Sequence, residues 1–193
     1  MRATQRRVCR SPRRETARGV LLLVLIGALV APPVLASQDT GWRRFRHASY
    51  GFSISYPDGW EVLAGEGKAA FVAIGPQVAG VEGARLGLVV VTARIPSNAT
   101  VDGAARELQR ELERSAGVMT VLRTDRFAHR GVPALMTYVV RKTPQGIEQY
   151  AILMILAYAG RGYAILGSTA TRSIRLAEET SLLQRAMLTF QPR

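Results

Sequence analysis

The chain has 193 residues, a formal net charge of +12 and a single cysteine, Cys9, a length that accommodates one domain and a leader. The 157 residues beyond residue 36 suffice for a domain that buries roughly 68–70% of its unfolded surface and needs neither a disulfide nor a metal to hold its core. Residues 1–36 hold seven Arg and one Glu, so half the basicity lies there, and the other +6 is spread without the aromatic-interleaved basic stripe of a nucleic-acid groove. A nucleic-acid partner is therefore not expected.

Arg2, Arg6, Arg7, Arg10, Arg13, Arg14 and Arg18 precede an uncharged apolar run over 19–31, then Pro32-Pro33 and Val34-Leu35-Ala36. This is the three-part layout of a secretory signal, with cleavage expected after Ala36 (residues 1–36 removed). The competing reading is a retained anchor, although the apolar run is short of the about 20 residues a span requires. Both readings put the domain outside the cytoplasm, periplasmic or secreted, because the basic flank stays inside. Cys9 precedes the apolar run and so is not placed as a lipid-bearing cysteine.

Residues 37–48 form a polar lead-in containing Trp42-Arg43-Arg44-Phe45-Arg46-His47. Arg43, Arg44 and Arg46 beside two aromatics suit a docking arm for an acidic partner or for anionic lipid headgroups. The alternative is a solvated segment whose aromatics tuck onto the edge of the domain. Next comes the stretch on which the domain (49–193) is organised: Tyr50-Gly51-Phe52-Ser53-Ile54-Ser55-Tyr56-Pro57-Asp58-Gly59-Trp60. Tyr50, Phe52, Ile54 and Tyr56 alternate as in a strand with one buried face. Pro57-Asp58-Gly59 ends it in a turn, and Trp60 is placed to fold back over it.

Short strands are predicted over 61–64 and 69–74 around Gly65-Glu66-Gly67. Gly67-Lys68 is not a phosphate loop, because Val62 stands where a glycine is needed and Ala69 where a metal-binding hydroxyl is needed. Residues 75–83, rich in glycine, predict a mobile loop, and 86–95 a strand. Thr100 predicts an N-cap for a helix with Val101, Ala105, Leu108 and Leu112 inward. Glu107 and Glu111 one turn apart form a salt-bridged surface with their Arg neighbours in preference to a metal or acid–base pair.

Extended segments are predicted over 118–127 and from Gly131 to Arg141, with a turn at Thr143-Pro144-Gln145-Gly146. The run 151–158, Ala-Ile-Leu-Met-Ile-Leu-Ala-Tyr, is apolar on both faces and predicts a central strand covered above and below. A strand over 163–169 precedes a last helix capped by Ser173, with Leu176, Leu183 and Met187 inward.

The stretch from Tyr50-Gly51-Phe52 to Tyr56-Pro57-Asp58-Gly59-Trp60 resembles the opening motif of the PsbP-like family, named after an extrinsic lumenal subunit of photosystem II. The order of strands, helix, hairpin, strand and closing helix is similar over about 49–190. The resemblance implies an α+β fold, an antiparallel β-sheet flanked by helices on both faces. It also implies a binding or assembly module and supplies no catalytic residue to carry over.

For catalysis the sequence offers only His47 and His129, the latter in a predicted turn near Asp125, with no nucleophile motif and no third ligand at usable spacing. The leading expectation is a non-enzymatic envelope protein that binds another protein, without cofactor or metal. The second is a small-molecule or lipid-binding protein with a pocket between sheet and helix. The third is a hydrolase with an unrecognised site, which loss of activity on His129→Ala would support.

Overall fold

The structure, a computed structural model, describes residues 41–64, 69–116, 119–143 and 145–193. The expected leader, the turn at Gly65-Glu66-Gly67 and the side chains of Glu111 and Leu112 lie outside the described residues. The elements are β1 (Trp42–His47), β2 (Phe52–Pro57), β3 (Glu61–Ala64), β4 (Ala69–Gln77), β5 (Arg85–Arg94), α1 (Val101–Ala116), β6 (Met119–His129), β7 (Val132–Lys142), β8 (Glu148–Tyr158), β9 (Arg161–Ala170), α2 (Leu176–Leu188) and β10 (Gln191–Pro192). They form a seven-stranded sheet in the order β3-β4-β5-β9-β8-β7-β6 and a three-stranded sheet in the order β1-β2-β10. Every pairing is antiparallel.

Strand β2 carries the alternation expected of it: Phe52, Ile54 and Tyr56 are buried. Trp60 is also buried, in the same core cluster as Phe52, Ile54 and Tyr56, and it covers β4 as well. An added Cβ on Gly75 would lie 2.7 Å from its indole, so the bare backbone of that residue is what lets the ring lie flat there. The segment 42–47, read from its charge as a lead-in, is strand β1, paired with β2 from Trp42↔Pro57 to His47↔Phe52. Phe45 reaches the core, its ring 4.8 Å from that of Phe71.

The expectation of a mobile loop over 75–83 is corrected. β4 continues to Gln77, and the Val78 N–H donates to the Ala84 carbonyl at 2.8 Å. The Val78 side chain is buried. Ala79 is held from both sides: its N–H donates to Glu179 Oε1 at 3.2 Å, and its carbonyl accepts the Ile174 N–H at 3.1 Å. Glycine content allowed the turns, while contacts distant in sequence hold them in place.

Thr100 caps α1 as expected, its Oγ1 accepting the Gly103 N–H at 3.2 Å. Ser173 does not cap α2. The helix begins at Leu176, and Ser173 Oγ accepts the Arg175 N–H at 3.1 Å in the turn before it. Strand β8 lies inside the large sheet between β7 and β9. Along it Leu153 and Ile155 pack with Ala104 and Leu108 of α1. Ile152, Met154 and Leu156 belong to the larger cluster that includes Leu183 and Met187 of α2, Phe52 and Phe190. The two sets alternate with the period of a strand.

Candidate functional site

The three arginines of β1 do not form one free triad. Arg43 pairs with Asp58 at 2.5 Å. Arg44 Nη2 donates to Ser53 Oγ at 2.9 Å and to Gln191 Oε1 at 2.7 Å, joining all three strands of the small sheet. Arg46 alone of the three is exposed without a polar partner among the described residues.

His129 is the last residue of β6 and is buried, where the sequence predicted a turn residue. Its Nε2 lies 2.7 Å from the Phe190 carbonyl oxygen. A carbonyl only accepts, so Nε2 carries the proton and donates it. Asp125, four residues back along an extended strand, is about 13 Å away at about 3.3 Å per residue, and it pairs with Arg123 at 2.9 Å. The His129–Asp125 dyad considered for a hydrolase is therefore not assembled; His129 ties the end of β6 to the segment after α2.

A cleft of about 230 Å³ opens between α1 and the β6–β7–β8 part of the large sheet. Leu135, Val139, Leu153 and Ile155 are among its apolar lining residues, with Met119 and Val121 on β6 and Ala105 and Gln109 on α1. Thr124 and Thr137 add a polar spot, their hydroxyls 3.2 Å apart. The cleft exists because α1 turns small residues toward a sheet of large ones. Ala104 and Leu108 are buried, whereas Ala105 leaves space.

Toward the start of α1, Arg126 of β6 grips Asp102 through two hydrogen bonds of 3.0 and 2.7 Å. The hydrogen bonds from Arg126 hold the Asp102 carboxyl below the usual carboxylate range, against a smaller opposing effect of desolvation. Arg141 lies two residues beyond Val139 on β7. Its Nε donates to Gln149 Oε1 at 3.0 Å, and burial lowers its pKa.

Strand β6 is an edge of the large sheet. Its residues Val121 and Leu122 are 49% and 56% exposed, among the largest apolar exposures described. The pairing with β7 shifts register between Val121 and Arg123, a bulge that, with Arg123 and Arg126, discourages another strand from adding to this edge. The sequence allowed a pocket between sheet and helix but did not place it or name its residues. The apolar start of β6 and the small residues of α1 were visible separately, but their juxtaposition depends on strand order.

No protein-family model matches the sequence, and no curated protein matches it significantly. Solved structures do. The cyanobacterial PsbP of Synechocystis sp. PCC 6803 superposes with a TM-score of 0.58 at 16% identity, covering 86% of this chain and 100% of that one. The Saccharomyces cerevisiae Ran-binding protein Mog1p gives 0.55 at 9% identity, covering 79% and 96%. LpqN, involved in cell envelope biogenesis of Mycobacterium tuberculosis, gives 0.50 at 13% identity, covering 78% and 87%. At these identities the likeness concerns architecture alone: the chain has the PsbP-like fold, antiparallel sheets with two helices.

Proposed function

We propose that the protein is an exported, non-enzymatic binding module whose partner is another protein of the bacterial cell envelope. One observation carries this reading: the apolar cleft between α1 and β6–β8 opens beside the exposed Val121 and Leu122 of an edge strand. Its volume, about 230 Å³, is below the about 300–1,000 Å³ of small-molecule sites. One or two apolar side chains of a partner fit it better than a whole ligand. Mog1p, a Ran-binding protein, supports a binding role for this architecture by analogy, and LpqN, of cell envelope biogenesis, supports an envelope setting by analogy.

Export rests on the leader, residues 1–36, with cleavage after Ala36; an uncleaved leader would anchor the same domain at the membrane. The domain assigned to 49–193 then takes in β1 from the former lead-in, 37–48. We infer that α1 and α2 cover opposite faces of the large sheet, on the strength of the alternation along β8. Partner contact is assigned to the cleft in preference to Arg43, Arg44 and Arg46, since the first two are engaged within the fold.

In-cell crosslinking of the exported protein with mass spectrometry of captured proteins tests this. Val121→Asp with Leu122→Asp should abolish capture of a reproducible envelope partner while leaving urea unfolding within about 0.5 kcal/mol, as for exposed positions. Capture that survives moves the contact elsewhere. A second reading, a small molecule or lipid in the same cleft, is favoured by the hydroxyl pair Thr124–Thr137. It predicts saturable thermal stabilisation by a co-purifying compound, lost in Ala105→Leu.

A further inference from the structure

Four arginines gather at one end of the molecule, where a fifth, Arg193, is tied down by its backbone N–H donating to the Gly51 carbonyl at 2.7 Å. No Asp or Glu side chain pairs with any of the four among the described residues. Strand register defines that end. His47↔Phe52 closes the β1–β2 hairpin, with Arg46 one residue before it. His129↔Val132 closes the β6–β7 hairpin, with Arg130 in the turn. Tyr158↔Arg161 closes the β8–β9 hairpin, and Arg94 of β5 stands directly opposite Arg161. The Tyr163 hydroxyl donates to the Tyr50 carbonyl at 2.9 Å, joining the two sheets here.

The Arg94–Arg161 pairing is the telling feature. Like charges directly across two strands destabilise a sheet, and an acid beside them would normally offset the cost. Among the described residues none of the four arginines forms an ion pair. Arg161 is held only by the face of Tyr50, its guanidinium carbon 5.1 Å from the ring centroid. The carboxylates on adjoining segments are already engaged, Asp102 by Arg126 and Asp125 by Arg123. Away from this end, arginines such as Arg43 and Arg85 do have acids. Arginines elsewhere, such as Arg44, Arg141, Arg172 and Arg185, also lack an ion pair among the described residues, but only here does one arginine stand directly opposite another across a strand pair.

We propose that this end docks on the surface of an anionic lipid bilayer. Its surface is made of the turns 48–51, 130–131 and 159–160, with Arg130 in the second and Arg46, Arg94 and Arg161 on the strands that reach this end; Arg46, Arg94 and Arg130 are exposed and Arg161 is half-buried. Phosphates in a plane match such an array, and each guanidinium offers them a two-pronged donor. Tyr158, 39% exposed beside Arg161, suits the headgroup layer, where tyrosine is enriched. A bilayer contact at this end leaves the cleft assignment untouched, since the two rest on different residues.

Flotation of the protein with vesicles of phosphatidylcholine and phosphatidylglycerol tests the proposal, against vesicles of phosphatidylcholine alone. Binding is expected only with the anionic lipid and should fall steeply between 0.1 and 1 M salt, as the screening length drops from about 10 to about 3 Å. Each arginine near such a surface strengthens binding about fivefold, so Arg94→Gln with Arg161→Gln should weaken it about 25-fold. Arg43→Gln with Arg85→Gln removes the same charge elsewhere and should change it little. Equal losses in the two variants would reduce the effect to net charge and overturn the proposal. So would binding that ignores salt and substitutions, as an apolar leader would give, or binding to no vesicle. A thermal unfolding temperature at or above the parent's for Arg94→Gln shows that a loss is not misfolding. Competition by millimolar inorganic phosphate as strong as by added salt of far higher ionic strength would point to a free anion and overturn the bilayer assignment.

Discussion

The two helices meet the large sheet in different ways. Under α2, β9 presents a glycine: an added Cβ on Gly167 would come within 3.0 Å of Leu183 Cβ and 3.1 Å of Met187 Sδ. The helix lies almost on the strand backbone, and Leu183, Ala186 and Met187 are fully buried. Under α1 the corresponding glycine is Gly162, whose added Cβ would meet Leu108 Cδ1 at 3.3 Å, the movable end of a side chain. Beside it the cleft of about 230 Å³ stays open. One contact is closed by backbone proximity and aromatic packing; the other keeps apolar surface that costs stability and is available to a partner. Each region should respond oppositely to added volume.

The largest effect belongs to the closed region. Trp60→Ala should remove about 3–5 kcal/mol, a severe loss against a typical total of about 5–15 kcal/mol. Urea unfolding close to that of the parent would contradict the packing of Trp60 on Gly75. Next, Gly167→Ala should cost about 1–3 kcal/mol, because α2 must move away from β9. Ala105→Leu sharpens the contrast. It adds volume on the open side, so thermal unfolding should be unchanged or gain about 0.5–2 kcal/mol, while partner capture is lost.

The smallest effect is electrostatic. Asp102 has its pKa held below 3.8, first by hydrogen bonding to Arg126. A depressed carboxyl pKa contributes stability that is full above the unfolded value and is lost as pH falls through the folded value. The seam between α1 and β6 should thus be insensitive to pH above the ordinary carboxylate range and loosen as pH falls below it. Hydrogen exchange of α1 amides against pH, compared with Asp102→Asn, measures this; the substituted protein should lose the acid-dependent part.

Much of the strand framework could be read locally. β2 shows its alternation in Phe52, Ile54 and Tyr56, β8 shows its double-sided burial in an unbroken apolar run, and Thr100 announces α1. β1 was not legible, because Arg43, Arg44 and Arg46 mask the inward alternation of Phe45 and His47, and only pairing with β2 turns the segment into a strand. The loop after β4 misled in the opposite direction: its glycines suggest freedom, while Glu179, a hundred residues away, holds Ala79.

His129 shows the same limit at a side chain. Its neighbours in the chain suggest a turn and a nearby Asp125, whereas its partner is the carbonyl of Phe190.

What the sequence determined by itself is therefore local: most of the segments that extend or coil, the Thr100 cap, and that one strand must be covered on both faces. These features come from side-chain periodicity and from backbone preferences of residues adjacent in the chain. Tertiary structure alone decided that Val121 borders a cleft under Ala105 and that Arg94 faces Arg161 without an acid. Both depend on which strands become neighbours and in what register. That choice is made by the burial of the whole core, to which each local pattern contributes only a part.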